Sequence, residues 1–262
     1  MSRATGRLTV LHLSDVHATR DGRLYDAVDG IERLRTVGAY VCQAGITPEA
    51  IVVTGDLVER GHADAYEAVG EALDELEHRT GVPVLTTIGN HDDPLAARRL
   101  RGHGRSHHRA VIVDDLRFLL LDSSSGELGA AQLTWLRDEL QHPHGAGSVI
   151  ALHHPPLGSP LPSLAKAGLR DADALLDALE GSDARAVLAG HFHHPLSATL
   201  RGIPVSVGPS LAYHQVMDAG PDRVSGHDWA MFSLVHLLPG GVSATSVNLH
   251  SPSPLFSSPI TR

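Results

Sequence analysis

Five short segments of this sequence carry residues that bind metal ions, spread over most of the chain. They are Asp15-Val16-His17, Gly55-Asp56, Gly89-Asn90-His91-Asp92, His153-His154-Pro155-Pro156 and Gly190-His191-Phe192-His193. Carboxylates, imidazoles and a carboxamide together form a donor set of hard oxygen and borderline nitrogen. Such a set suits two divalent or trivalent ions with one carboxylate shared between them. Glycines beside Asp56, Asn90 and His191 let the backbone turn sharply and approach closely. Histidine is abundant, 19 residues of 262, and imidazole both ligates metals and titrates near neutrality. Each segment alone is weak, because an Asp-x-His triplet arises by chance and a lone histidine more often serves packing. Their common position is what counts.

Each segment follows an expected β-strand. Apolar, β-branched runs at 8–14, 50–54 and 83–88 read as strands, with helices between them at about 26–44 and 63–80. Gly81 and Pro83 end the second helix. Runs at 110–113 and 117–121 flank Asp114-Asp115 as a hairpin. A helix at 129–141, a strand at 148–152, a helix at 171–180 and a strand at 185–189 resume the alternation. Further strands are expected at 197–201, 203–207, 230–237 and 242–249. The alternation implies an α/β fold with right-handed crossovers. In such folds ligands gather beyond the carboxyl ends of the strands, which would bring the five segments together. No internal repeat or convincing boundary appears, so residues 1–250 are expected to form a single domain and 251–262 a flexible tail.

In their order and spacing the five segments resemble the calcineurin-like metallophosphoesterase superfamily, and the resemblance runs from Asp15 to His193 with no expected ligand missing. It implies a four-layer α/β/β/α sandwich of two mixed sheets with a dinuclear site at one edge. Asp15, His17 and His193 would hold one ion, Asp56 would bridge, and Asn90, His153 and His191 would complete the other. The family pattern of a ligand histidine, any residue, then proline selects His153 over His154, which would point elsewhere. His91 matches the position that serves the leaving group, so the resemblance makes His91 and Asp56 the catalytic residues and Asn90, His91 and His193 the substrate-binding ones. The activity implied is phosphodiester hydrolysis by a hydroxide bridging two ions, iron or manganese with zinc also accepted by the ligand set. Asp92 would either hold the ring of His91 or cap the following helix.

Within the superfamily, Ala186-Val-Leu-Ala-Gly-His-Phe-His193 and Gly202-Ile-Pro-Val-Ser206 are similar to the bacterial class III cyclic-nucleotide phosphodiesterases of mycobacterial type. That similarity implies 3′,5′-cyclic AMP or a related small anionic phosphodiester as substrate, and often a homodimer. Hydrolysis of 2′,3′-cyclic nucleotides or glycerophosphodiesters stays open, and so does a non-enzymatic scaffold that has lost turnover.

Composition narrows the partners. Lys+Arg 21 against Asp+Glu 30 leaves a net charge of −9, which argues against a protein that coats nucleic acid. No apolar run approaches the roughly 18 residues of a membrane span, and nothing resembles a secretory signal, so a cytoplasmic protein with no membrane partner is expected. Cys42, the single cysteine, cannot form an internal disulfide. Residues 98–109 hold five arginines and three histidines. They read either as an electropositive rim that steers an anionic substrate or as a solvated loop. The remaining histidines, among them His103, read as surface or loop residues, with His214 a candidate for contact with the site. Ser163-Leu-Ala-Lys166 matches S-x-x-K by chance, and no P-loop is present.

Overall fold

The computed structural model describes residues 7–20, 22–216, 220 and 223–258. The first sheet contains β1 (Leu8–Leu13), β2 (Ala50–Thr54) and β3 (Val84–Thr87) in parallel, extended on the β1 side by antiparallel β12 (Met231–Leu238) and β13 (Gly241–Asn248). The second has the order β4 (Arg109–Val113), β5 (Leu116–Leu120), β6 (Ser148–Ala151), β7 (Ala184–Ala189), β9 (Ile203–Val207) and β8 (Leu196–Leu200). Its four central strands are parallel and its two edges antiparallel, so both sheets are mixed. A two-residue ladder, β10 (His214–Gln215) with β11 (Gly226–His227), lies outside them.

Strand periodicity divides the core into three. Val10 and Val52 face the second sheet and pack among Phe118, Leu120, Val149 and Leu188. Their neighbours Leu11, Leu13, Ile51 and Val53 face the other way, onto α1 (Gly30–Gln43) and α2 (Tyr66–Thr80). Across the molecule, Leu119, Ile150 and Val187 meet α3 (Gly129–Leu140) and α4 (Ala172–Leu179). The result is the expected α/β/β/α sandwich of two mixed sheets. Every residue of β1 beyond Leu8 and all of β2 are buried, which accounts for their predominantly apolar, β-branched composition.

Helix α1 starts later than its periodicity suggests. Asp29 accepts the Glu32 amide at 2.9 Å and caps the helix there. Residues 24–28 instead form a tight turn, with mutual backbone bonds between Leu24 and Val28 and with Tyr25 and Asp26 at φ 54° and 58°. Residues 251–258 are exposed and carry no regular structure, whereas 1–6 and 259–262 lie outside the described residues. No helix among the described residues is long and apolar enough to cross a membrane.

Candidate metal centre

The loops that follow β1, β2, β3, β6 and β7 meet at one edge of the sandwich. Backbone bonds tie them: Asp15 N to Gly55 O at 3.1 Å, His17 N to Asp56 O at 2.9 Å and Gly190 N to His153 O at 2.9 Å. Crowding at this edge explains the glycines. A Cβ on Gly89 would lie 2.3 Å from Asp56 Oδ1, and one on Gly190 would lie 1.8 Å from Ser14 Oγ. Gly89→Ala is therefore expected to destabilise the fold by about 1–3 kcal/mol through overpacking and to displace Asp56. Thermal melting with and without added Mn²⁺ checks both: a wild-type melt and a wild-type metal response would contradict the crowding.

Five of the expected ligands adopt a backbone that side chains disfavour: Asp15 (φ 54°), His17 (48°), Asp56 (47°), His191 (75°) and His193 (54°). Strain of this kind collects at functional sites, where the surrounding structure enforces it.

Three imidazoles are oriented alike. His17 Nδ1 donates to Glu59 Oε2 at 2.6 Å, His153 Nδ1 to the Thr54 carbonyl at 2.8 Å, and His193 Nδ1 to the Tyr213 carbonyl at 3.1 Å. With Nδ1–H engaged, each ring turns Nε2 inward, the arrangement in which a histidine serves as a ligand. His17 Nε2 and His193 Nε2 lie 3.1 Å apart, and His193 Nε2 is 3.3 Å from Asp15 Oδ1. Asp56 Oδ2 sits between two groups, 3.6 Å from His17 Nε2 and 3.2 Å from His153 Nε2. On the far side His153 Nε2 is 3.1 Å from Asn90 Oδ1, and the His153 and His191 rings are 5.0 Å apart. Two ligands about 2.0–2.2 Å from one ion stand roughly 3 Å from each other, so these spacings fit bound cations.

Charge points the same way. Burial pushes the Asp56 carboxyl up, but His153 and His17 more than offset it and hold it well below the usual carboxylate range. Asp15 is likewise kept ionised by His193 against burial. His153, which burial alone would lower, is raised to about 9 by Asp56 and Asp15. Burial and the neighbouring His153 push His191 down to about 4. The anionic pair Asp15 and Asp56 thus demands positive charge at this edge.

His91 stands at the rim, half-buried, with its amide on Asp56 Oδ1 at 2.8 Å and Nδ1 3.0 Å from Glu59 Oε1. Glu59 thereby orients both His17 and His91, and its hydrogen bond raises the His91 pKa. Sequence reasoning missed Glu59, whose only signal is its place three residues after Asp56. Asp92 plays neither expected part. It accepts the amides of Leu57, Val58 and Gly89 and the hydroxyl of Tyr66, lashing the Asp56 loop to the Asn90 loop, while Asp93 caps the turn that follows. His154 does not turn away as expected: its ring lies 4.4 Å from that of His191 and its Nδ1 3.3 Å from Ser123 Oγ.

Part of the Arg/His-rich segment is engaged in structure, while Arg98, Arg99 and Arg105 are exposed. Arg101 forks onto Glu77 at 2.7 Å through both Nη atoms, and Arg109 donates to Thr86 O. His103, expected at the surface, is fully buried between Thr86 Oγ1 and His107. His214 packs on Trp229, and the adjacent Gln215 amide bonds the His193 carbonyl.

The profile of the calcineurin-like phosphoesterase family matches residues 8–195, a span that contains all five segments. The chain belongs to this family. The phosphoesterase is 40% identical over 238 residues to a probable cyclic nucleotide phosphodiesterase of Rhodococcus erythropolis, covering 87% of this chain and 79% of that one. It is 38% identical over 257 residues to a cAMP/cGMP dual specificity phosphodiesterase of Mycobacterium tuberculosis, covering 94% and 79%. Among solved structures it is similar in fold to a dimetal phosphatase from Danio rerio, with TM-score 0.60, 16% identity and coverage of 93% and 99%. It also resembles a purple acid phosphatase from yellow lupin, with TM-score 0.64, 13% identity and coverage of 94% and 52%. At these identities the likeness concerns the fold alone.

Proposed function

We propose that this phosphoesterase hydrolyses cyclic nucleotides, 3′,5′-cyclic AMP foremost, at a dinuclear metal centre. The observation that carries the reading is the set of three Nδ1-anchored imidazoles whose Nε2 atoms converge on Asp15 and Asp56, with His91 beside them. Asp15, His17 and His193 would hold one ion, Asn90, His153 and His191 the other, and Asp56 both. Mixed oxygen and nitrogen donors suit iron or manganese and accept zinc. Bound there, the ions would activate water and neutralise charge on the phosphoryl oxygens.

The chain's own residues supply the rest. Asn90, His91 and His193 line the place where the phosphodiester binds. His91, whose pKa the Glu59 hydrogen bond raises, would donate from Nε2 to the departing oxygen, which would otherwise leave as a high-energy alkoxide. Asp56 Oδ1 fixes the backbone of His91 and so holds donor and metal edge in register. The names of the two bacterial relatives support the cyclic-nucleotide choice. An exposed, unpaired Cys42 is compatible with the reducing cytoplasm where such substrates occur.

The test is a kcat/KM comparison by Mn-loaded protein of 3′,5′-cAMP, 2′,3′-cAMP, glycerophosphoethanolamine and bis-nitrophenyl phosphate. A clear preference for 3′,5′-cAMP is expected. Good turnover of the aryl ester with negligible cyclic nucleotide hydrolysis would retain the metal chemistry and overturn the substrate.

A further inference from the structure

Aromatic residues are scarce in this chain, at 4%, yet two of its four tyrosines stand at the metal edge. The ring of Tyr213 lies 4.1 Å from that of His193 and 5.9 Å from that of His17. Tyr25 continues the series outward, edge-on at 5.7 Å from Tyr213 and 72% exposed. Tyr25 touches Tyr213 but is otherwise largely in solvent. It sits with Asp26 in consecutive left-handed conformations in the 24–28 turn, a costly way to hold a large apolar ring in solvent.

Beside the two rings is a cavity of about 470 Å³, walled by Tyr25, Val28, Tyr213, Val224 and Asp228 among others. Its size and its apolar walls with one carboxylate suit a small organic ligand. The walls are set in advance. Arg33 reaches from α1 to donate to the carbonyls of Leu211 and Ala212 and to Asp228. Ser210 Oγ accepts the amides of Ala212 and Tyr213 and donates to the Asp15 carbonyl at 3.0 Å. The Tyr213 loop is therefore fixed to the backbone of an expected metal ligand.

We propose that Tyr25 and Tyr213, their rings 67° apart, form an aromatic shelf on which the nucleobase of the substrate stacks on one ring and meets the other at its edge, while its phosphate occupies the metal edge. The shelf rests on the cyclic-nucleotide reading above, and it adds the group that would distinguish a nucleotide from a base-free phosphodiester. Every base has a π-face, so stacking serves adenine and guanine alike and leaves finer choice to hydrogen bonds.

The test compares affinities of 5′-AMP and ribose 5-phosphate for the Mn-loaded protein by calorimetry, alongside cAMP turnover. Base stacking on an aromatic side chain should make AMP the tighter ligand by at least about tenfold. Tyr25→Asn, which removes the ring and tolerates the left-handed backbone, should shrink that ratio several-fold, and Tyr25→Phe should restore it. Tyr213→Leu should shrink it independently. Equal affinities in the wild type, or a ratio unmoved by Tyr25→Asn and Tyr213→Leu, would overturn the shelf. A base preference that behaves as stated in a protein without cyclic-nucleotide turnover would keep the shelf and overturn the cyclic-nucleotide reading.

Discussion

Asp56→Asn is expected to lower kcat/KM by on the order of 10³-fold or more and to deplete bound metal at both positions, because one carboxylate faces both groups of ligands. Asp56 Oδ2 lies within 3.6 Å of His17 Nε2 and 3.2 Å of His153 Nε2, and no other carboxylate has that double contact among the described residues. Loss of one fixed charge-stabilising group commonly costs about 10²–10³ in rate, and here each ion would also lose an anionic ligand. Asparagine keeps the shape and tolerates the positive φ of this position, so the fold should survive and the loss should report charge. Metal analysis by mass spectrometry, read beside the rate, decides the matter. Near-normal activity with full metal content would remove Asp56 from the centre.

His91→Ala should act on rate alone. Its side chain bonds Glu59 and lies edge-on to the His17 ring at 4.7 Å, but it is not itself an expected ligand, and it meets Asp56 through its backbone amide. Metal content should therefore stay close to wild type. Without the proton donor, alkyl phosphodiesters, cyclic nucleotides included, should lose about 10²–10⁴ in kcat, the span usual for general acid catalysis. Bis-nitrophenyl phosphate should lose far less, because nitrophenolate departs without a proton. An equal loss on both substrates would assign His91 to phosphate binding and remove the acid role.

The parts of the fold legible in the sequence were those fixed by periodicity. Strands β1 and β2 announce themselves as apolar, β-branched runs, and Asp114 at φ 53° turns the β4–β5 hairpin as its position suggests. Helix α1 was read too long because Ala27 and Val28 continue an apolar pattern that the Asp29 cap interrupts. Within the candidate site, Asp15, Asp56, His153 and His193 stand out in the sequence because residue type and strand end coincide. Glu59 could not, since its meaning depends on two rings that the fold delivers from 42 and 32 residues away. Asp92 was misread for a related reason: its partners are three backbone amides and a tyrosine hydroxyl, and amides leave no trace in residue identity. For 98–109 the sequence left a steering rim and a solvated loop both open, because it shows charge without its counter-charge, such as Glu77 on α2 for Arg101.

The left-handed backbone at Asp15, His17, Asp56, His191 and His193 bears on more than geometry. At about 1–3 kcal/mol each, five such residues cost an amount comparable with the 5–15 kcal/mol by which a domain typically remains folded. A ligand that binds only the native state returns about 2.7 kcal/mol when its free concentration is a hundredfold above its dissociation constant. Survival of this chain against proteases would then follow the supply of free cation, and pulse proteolysis across a series of Mn²⁺ concentrations should show cleavage slowing as the ion rises. A cell short of that ion would lose the protein itself as well as its activity.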